Sequence, residues 1–253
     1  GDGTLSGALD GLGRATGATF RGVTLGLIPL GTGNDFARSI GVPLETDAAV
    51  KTLLARHTRD LDLVRLITTD EHGNAHQPRF FINAAAAGLS GVVSEQTGGD
   101  LKETWGKLAY AITAAKVLPQ RDVYSLSIEL DGPQGPETLG VDALGMMVGN
   151  GRTAAGGVPV TPWAELDDGL LEVLVAPRMA MADLALVMAS VLASTHRDHE
   201  SLITRRAHSL RVTSDPPMPI SADGELMGVT PATFEVIPRA LTVIVGTEMP
   251  PAP

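Results

Sequence analysis

Apolar positions in the first sixty residues alternate between two periods. After a glycine-rich turn at Gly1-Asp2-Gly3-Thr4, Leu5, Ala8, Leu9 and Leu12 recur at helical spacing, predicting a helix that Gly13 ends. Val23 to Leu30 predicts a buried strand running into the turn Gly31-Thr32-Gly33-Asn34-Asp35, followed by a short helix. Val50, Leu53, Leu54 and His57 share one face of a further helix, with Thr46 and Asp47 as its capping residues.

From Leu61 the pattern becomes short strands separated by Gly, Pro, Asn and Asp clusters. Leu61–Thr69 and Phe80–Ala86 flank a hairpin-like Asp70-Glu71-His72-Gly73-Asn74. Tyr124, Leu126, Ile128 and Leu130 alternate with polar residues, as in a strand with one wet face, and Asp131-Gly132-Pro133 turns the chain toward a strand at Leu144–Val148. Leu170–Val175, Leu210–Thr213, Thr233–Ile237 and Leu241–Val245 predict further strands, and Lys102–Lys116 and Met181–Ser194 predict helices. The expected organisation is an α/β unit over residues 1–62 and a mostly β unit over 63–253, with a return of the last residues to the first unit left open.

Composition narrows the function classes. Only 4% of residues are aromatic, so Ala, Val, Leu and Ile must build the core. With 29 acidic against 19 basic side chains the net charge is -10, which argues against nucleic acid and against attraction to an anionic membrane by charge alone. The absence of cysteine removes disulfides, thiolate nucleophiles and Cys-based zinc sites together. The longest strongly apolar run, Leu184–Thr195, is well short of the roughly 18 residues that suggest a membrane span.

Two glycine turns carry candidate chemistry. Gly1–Thr4 can bring backbone N–H groups to an anion at a helix start; it also reads as a plain turn, and it lacks the third glycine of a dinucleotide fingerprint, because Ser6 stands there. Pro29-Leu30-Gly31-Thr32-Gly33-Asn34-Asp35-Phe36-Ala37-Arg38 sets a hydroxyl, an amide and a carboxylate between a strand and a helix, where open α/β sheets bind ligands. Its other reading is a helix start capped by Asn34 or Asp35.

Together these segments resemble the diacylglycerol kinase catalytic family of lipid kinases, whose hallmarks are a G-G-D-G-T turn and a P-L-G-T-x-N-D-F-A-R segment. Three later stretches agree in order: Phe81-Ile82-Asn83 with Ala87-Gly88-Leu89; Gly149-Asn150-Gly151-Arg152 with Gly156-Gly157; and Asp167-Asp168-Gly169-Leu170-Leu171, followed by Asp223-Gly224-Glu225. The order is most similar to the bacterial YegS-type soluble lipid kinases and spans Gly1 to about Val245.

This resemblance implies an α/β domain like that of NAD kinases and 6-phosphofructokinases, then a β-sandwich, with a nucleotide and lipid cleft between them. It implies ATP with Mg²⁺, and a membrane lipid with a primary hydroxyl as acceptor. Gly1, Asp2, Gly3, Thr4 and Thr32 match the positions that hold the ATP phosphates, and Lys102 matches a basic position that approaches them. Glu225, with Asp223 beside it, matches the segment supplying the general base. Asp168, with main-chain oxygens of Glu165 and Leu170, matches a second metal site. The departures are the missing first glycine of G-G-D-G-T and an expected upstream segment of roughly sixty residues, which would carry the first βαβ unit. On this resemblance the protein is a cytoplasmic enzyme touching the inner face of the membrane transiently, with a homodimer left open. A kinase for a soluble acceptor such as NAD, and a non-catalytic lipid-binding relative, are the rival readings.

Other features have plainer readings. His196 and His199 have a metal-like spacing without a third ligand and are expected at the surface. Arg205, Arg206 and Arg211 form a basic patch, for lipid headgroups or for water. Met179, Met181 and Met188 flank an apolar helix as core, or as the lip of an acyl-chain entrance.

Overall fold

In a computed structural model, which describes residues 1–88 and 123–247, the chain opens directly as helix α1 (Asp2–Thr16). The predicted Gly1–Thr4 turn is thus the first turn of this helix, with Gly1 as its N-cap. Gly13 does not end it. Gly17 does, in the left-handed conformation, with its N–H returned to the Gly13 carbonyl. Gly13 is instead the point where the helix meets Phe80: a Cβ there would lie 2.3 Å from the ring.

The predicted strand Val23–Leu30 shrinks to β1 (Thr24–Leu25), paired in parallel with Thr242 and Val243, and most of the segment alternates between exposed and half-buried positions. A short α2 (Asp35–Ser39) and then α3 (Thr46–Ala55) follow. The cap of α3 is Glu45, one residue before the predicted pair, whose carboxylate accepts the N–H groups of Asp47 and Ala48 at 3.0 and 2.7 Å. Its predicted apolar face is largely outside: Ala49 is the buried residue, while Leu54 is exposed.

The β region comprises β2 (Thr58–Thr69), β3 (Arg79–Phe81), β4 (Ala84–Gly88), β5 (Tyr124–Gly132), β6 (Gly135–Gly149), β7 (Leu171–Pro177), β8 (Ile203–Ala207), β9 (Ser209–Asp215), β10 (Pro219–Ala222) and β11 (Glu225–Ile244). The helix α4 (Met181–Leu192) lies between β7 and β8. Thr233–Ile237 and Leu241–Val245, read as two strands, belong to the single 20-residue β11 up to Ile244. The expected β-sandwich takes an unexpected form. Among the described residues β10, β4, β6, β5, β9 and β11 pair in turn, and β11 pairs again with β10, so six antiparallel strands close a ring within one sheet. Register shifts at Ile220/Ser221, Val229/Thr233 and Ile237/Leu241 let β11 change partners along its length, as bulges do at barrel corners.

Two apolar cores result. One fills the ring with Phe81, Ile128, Val148, Val173, Val212 and Phe234. The other gathers Leu9, Phe20, Phe36, Ile40, Leu61 and Leu241 around α1 and α2. Strands β2 and β11 serve both, giving Val64 and Phe234 to the ring and Leu61 and Leu241 to the helical core. The two halves are therefore joined by continuous antiparallel strands. Met179 and Met188 pack with Leu184 on Leu144, while Met181 is exposed.

Candidate active site

Two glycine turns meet backbone to backbone. A Cβ on Gly31 would sit 2.5 Å from the Gly1 Cα, so the contact requires glycine. Asn34 takes a left-handed conformation (φ 52°), and its side chain closes the loop by accepting the Gly31 N–H at 3.0 Å and donating to the Gly31 carbonyl. The cap of α2 comes from afar. Asp2, at the start of α1, accepts the N–H groups of Asp35 and Phe36 at 3.2 and 3.3 Å, where neither Asn34 nor Asp35 was needed. Thr4 and Thr32 are exposed beside these turns.

Asp35 turns its own carboxylate the other way, onto the loop after β6. It accepts the Gly156 and Gly157 N–H groups at 2.8 and 2.6 Å, which requires both glycines to have positive φ. Burial raises its pKa, and the nearby charge of Asp2 adds to the effect. Ser39 ties the Asp35 carbonyl to Asn83 Oδ1, both at 3.1 Å, and Asn83 receives the N–H groups of Asn150 and Gly151 on its carbonyl.

The third component is the tight turn from β10 to β11, with Asp223 and Gly224 both at positive φ (46° and 87°) as a two-residue hairpin demands. The Asp223 carboxylate accepts the N–H groups of Ile82, Asn83 and Ala84 at 3.0, 3.2 and 3.0 Å and so holds the corner between β3 and β4. Enclosure of this carboxylate raises its pKa to about 7, against the lowering by those amides. Glu225 lies over α1: its Oε1 is 3.4 Å from where a Gly3 Cβ would stand, and its Oε2 pairs with Arg79 at 2.8 Å. Gly1, Asp2, Gly3, Asp223 and Glu225 are thus gathered from opposite ends of the chain, and Lys102 lies outside the described residues.

Asp168, Glu165 and Leu170 belong to a second group. Asp168 accepts the Leu170 N–H at 2.9 Å and pairs with Arg206, which also reaches Glu172 at 2.9 Å. Burial raises the Asp168 pKa, Arg206 opposes this, and Glu165 and Asp167 add to it. Asp62 faces the same group and accepts the N–H groups of Gly169 and Arg239 at 2.6 and 2.8 Å. Among the described residues no three His, Asp or Glu side chains converge on one metal position, so a cation here would depend on main-chain oxygens.

The basic patch is already neutralised in part. Arg205 forks onto Glu137, with contacts at 2.8, 2.9 and 3.1 Å, and Arg206 faces acids. His196 is not at the surface: it is fully buried, bonded to the Val160 carbonyl at 2.8 Å and packed 4.8 Å from the Trp163 ring, because α4 delivers it beneath that loop. The Asp10 and Arg79 pair behind Glu225 carried no readable signal, since neither belongs to a glycine turn or to an apolar period.

Comparison with known proteins identifies the family. The diacylglycerol kinase catalytic domain model matches residues 1–66, and the YegS C-terminal NAD kinase beta sandwich-like domain model matches residues 83–245. A diacylglycerol kinase of Staphylococcus haemolyticus (strain JCSC1435) is 31% identical over 243 residues, covering 96% of this chain and 68% of that one. Another, of Staphylococcus aureus (strain JH9), is 29% identical over 249 residues, covering 98% and 73%. A crystal structure of a protein from Bacillus anthracis str. Sterne superposes with a TM-score of 0.76 at 25% identity, covering 98% of this chain and 75% of that one. These similarities define a kinase. The chain belongs to the diacylglycerol kinase family, with a YegS-type C-terminal domain, and is in that class a lipid kinase that uses ATP.

Proposed function

We propose that the protein transfers the γ-phosphoryl group of ATP to a primary hydroxyl of a membrane lipid, diacylglycerol or a close relative. The observation that carries this reading is the seating of Glu225 over Gly3, which puts a carboxylate oxygen beside the first turn of α1. Backbone N–H groups at that turn and at Gly31–Gly33 are the donors for the phosphates, with Gly1, Asp2, Gly3, Thr4 and Thr32 in contact. Residues 1–62, joined by the end of β11 around Leu241, then form the nucleotide unit, akin to NAD kinases and 6-phosphofructokinases, and the rest of residues 63–253 the lipid-facing unit.

In the reaction the lipid hydroxyl oxygen forms a bond to the γ-phosphorus while the bond to the β–γ bridging oxygen breaks, releasing ADP. The hydroxyl proton passes to Glu225 Oε1, the oxygen not engaged by Arg79. Asp223 keeps the β3–β4 corner beneath the acceptor and sets the position of Glu225 two residues on. Mg²⁺ bound with ATP would neutralise phosphate charge. Asp2, at the first turn of α1, is the carboxylate suited to it, since Asp35 and Asp223 are spent on backbone amides of other loops. A second cation at Asp168, with the Glu165 and Leu170 carbonyls, would have to displace Arg206 from that carboxylate.

Among the described residues no helix is long and apolar enough to cross a membrane, so the lipid is met by peripheral and transient contact on this reading. The test uses full-length protein, labelled ATP, Mg²⁺ and a panel of lipids in mixed micelles, with NAD as a separate acceptor. A phosphorylated lipid is expected. Glu225→Gln should lower turnover by about 10² to 10⁴-fold with ATP binding retained. Absence of product from every lipid, or phosphorylation of NAD alone, overturns the reading.

A further inference from the structure

Glu225 has a long side chain that is 38% exposed, so packing alone does not fix its rotamer. What fixes it is an arginine. Arg79 on β3 donates Nη2 to Glu225 Oε2 at 2.8 Å, Nε to Asp10 Oδ2 at 2.7 Å and Nη1 to the Leu226 carbonyl at 3.4 Å. Asp10 is buried in α1, and its other oxygen accepts the Phe80 N–H at 2.8 Å, which locks α1 to the residue next to Arg79. We propose that Arg79, anchored by Asp10, is the positioning residue that aims Glu225 at the reacting hydroxyl. This inference rests on the reading of Glu225 as proton acceptor.

Two features favour positioning over mere stability. First, an ion pair with its glutamate this exposed adds little to folding free energy, whereas all three guanidinium nitrogens here are spent on separate partners. Second, one helix carries both ends of the arrangement. Gly3 of α1 faces Oε1, and Asp10 of the same α1 holds the arginine that takes Oε2. The rigid helix thereby sets the distance between the phosphate-binding turn and the base, and directs Oε1 toward the crevice. Lysine, whose three donors sit on one nitrogen, cannot reproduce the planar fork in which Nε holds Asp10 while Nη2 holds Glu225.

The experiment compares full-length wild type with Arg79→Ala, Arg79→Lys, Asp10→Asn and Glu225→Gln, measuring kcat, KM for ATP and for lipid, and thermal unfolding. Arg79→Ala should lower kcat by about 10²-fold, the cost of a misplaced catalytic group, with little change in KM for ATP. Millimolar guanidinium should restore part of that loss and leave wild type unmoved. Arg79→Lys should fall between, and Asp10→Asn should lose about 10-fold in kcat through the weakened anchor. If Arg79→Ala fails to fold, the split between kcat and KM is read on Arg79→Lys and Asp10→Asn. An inactive Glu225→Gln beside an Arg79→Ala with wild-type kcat, or with loss matching its unfolded fraction and no guanidinium rescue, overturns the positioning role alone. A Glu225→Gln with wild-type kcat overturns the reading of Glu225 and this inference with it.

Discussion

Asp35 holds Gly157 across 122 residues of sequence, its Oδ1 accepting the glycine N–H at 2.6 Å while Oδ2 takes the neighbouring Gly156. This carboxylate is the clasp between the α2 segment and the loop after β6. Replacing it with alanine leaves two amides without acceptors in an enclosed place, at about 1–3 kcal/mol each. Asp35→Ala should therefore lose about 2–4 kcal/mol in urea unfolding, less than two full penalties because water can enter. Asp35→Asn, which keeps one acceptor, should lose roughly half as much. Equal stability of Asp35→Ala and wild type would show that the clasp carries no weight.

Gly33 gives a test of the crevice rather than of the fold. A Cβ there would stand 2.9 Å from Asp2 Oδ2, a side-chain end able to yield, and 3.4 Å from Asp35 Oδ2, an ordinary contact that leaves the clasp in place. The residue is half-buried in a loop, so Gly33→Ala should change stability by less than about 1 kcal/mol. By pushing Asp2 aside it should weaken ATP binding or turnover about 10-fold. Unaltered kinetics, with the alanine accommodated, would remove Asp2 from the phosphate site.

These two positions also show what a linear reading can and cannot reach. Gly1, Asp2 and Gly31 to Asp35 stood out because tight turns and close backbone approaches need particular residue types, wherever their partners lie. Arg79 and Asp10 did not, since an ion pair is set by two ordinary residues whose meeting depends on how β3 is laid against α1. Strand periodicity was legible in β5, whose alternation survives intact, because one face is wet. The ring closure was not, since Gly228, Pro231 and Pro238, which fall at the irregularities of β11, read locally as strand breaks and do not tell which strands pair on either side. Val23–Leu30 misled for a related reason: apolar content suggested a buried strand, but among the described residues only Thr24 and Leu25 pair with a strand, the far end of β11.

Gly13 was read as a helix end and is a packing site, which makes a sharp prediction. Alanine is favoured over glycine within a helix by about 1 kcal/mol. Here the new methyl would meet Phe80 atoms at 2.3 and 2.7 Å, and Phe80 is itself fixed edge-on against Phe20 at 5.0 Å. Overpacking a rigid aromatic pair costs about 1–3 kcal/mol, so the balance is unfavourable. Gly13→Ala should lower the Tm by several degrees, and a Tm above wild type would mean that the helix can slide on β3.

Asp223 ties stability to pH. Its carboxyl titrates near 3.8 when unfolded and at about 7 when folded, so the folded protein binds the extra proton. A raised pKa contributes stability that is complete below the unfolded value and lost as pH rises through the folded one. Wild type should therefore lose ground between pH 4 and 8 relative to Asp223→Asn, which cannot titrate, by on the order of 1–3 kcal/mol. The asparagine carries a separate, pH-independent penalty, because its amide nitrogen cannot accept one of the N–H groups now held by the carboxylate. Only the change in the difference between the two proteins reports the titration. Urea unfolding of both at pH 5 and pH 8 measures it. A difference of the same size at both pH values would mean that Asp223 stays ionised throughout and holds the β3–β4 corner as a permanent charge.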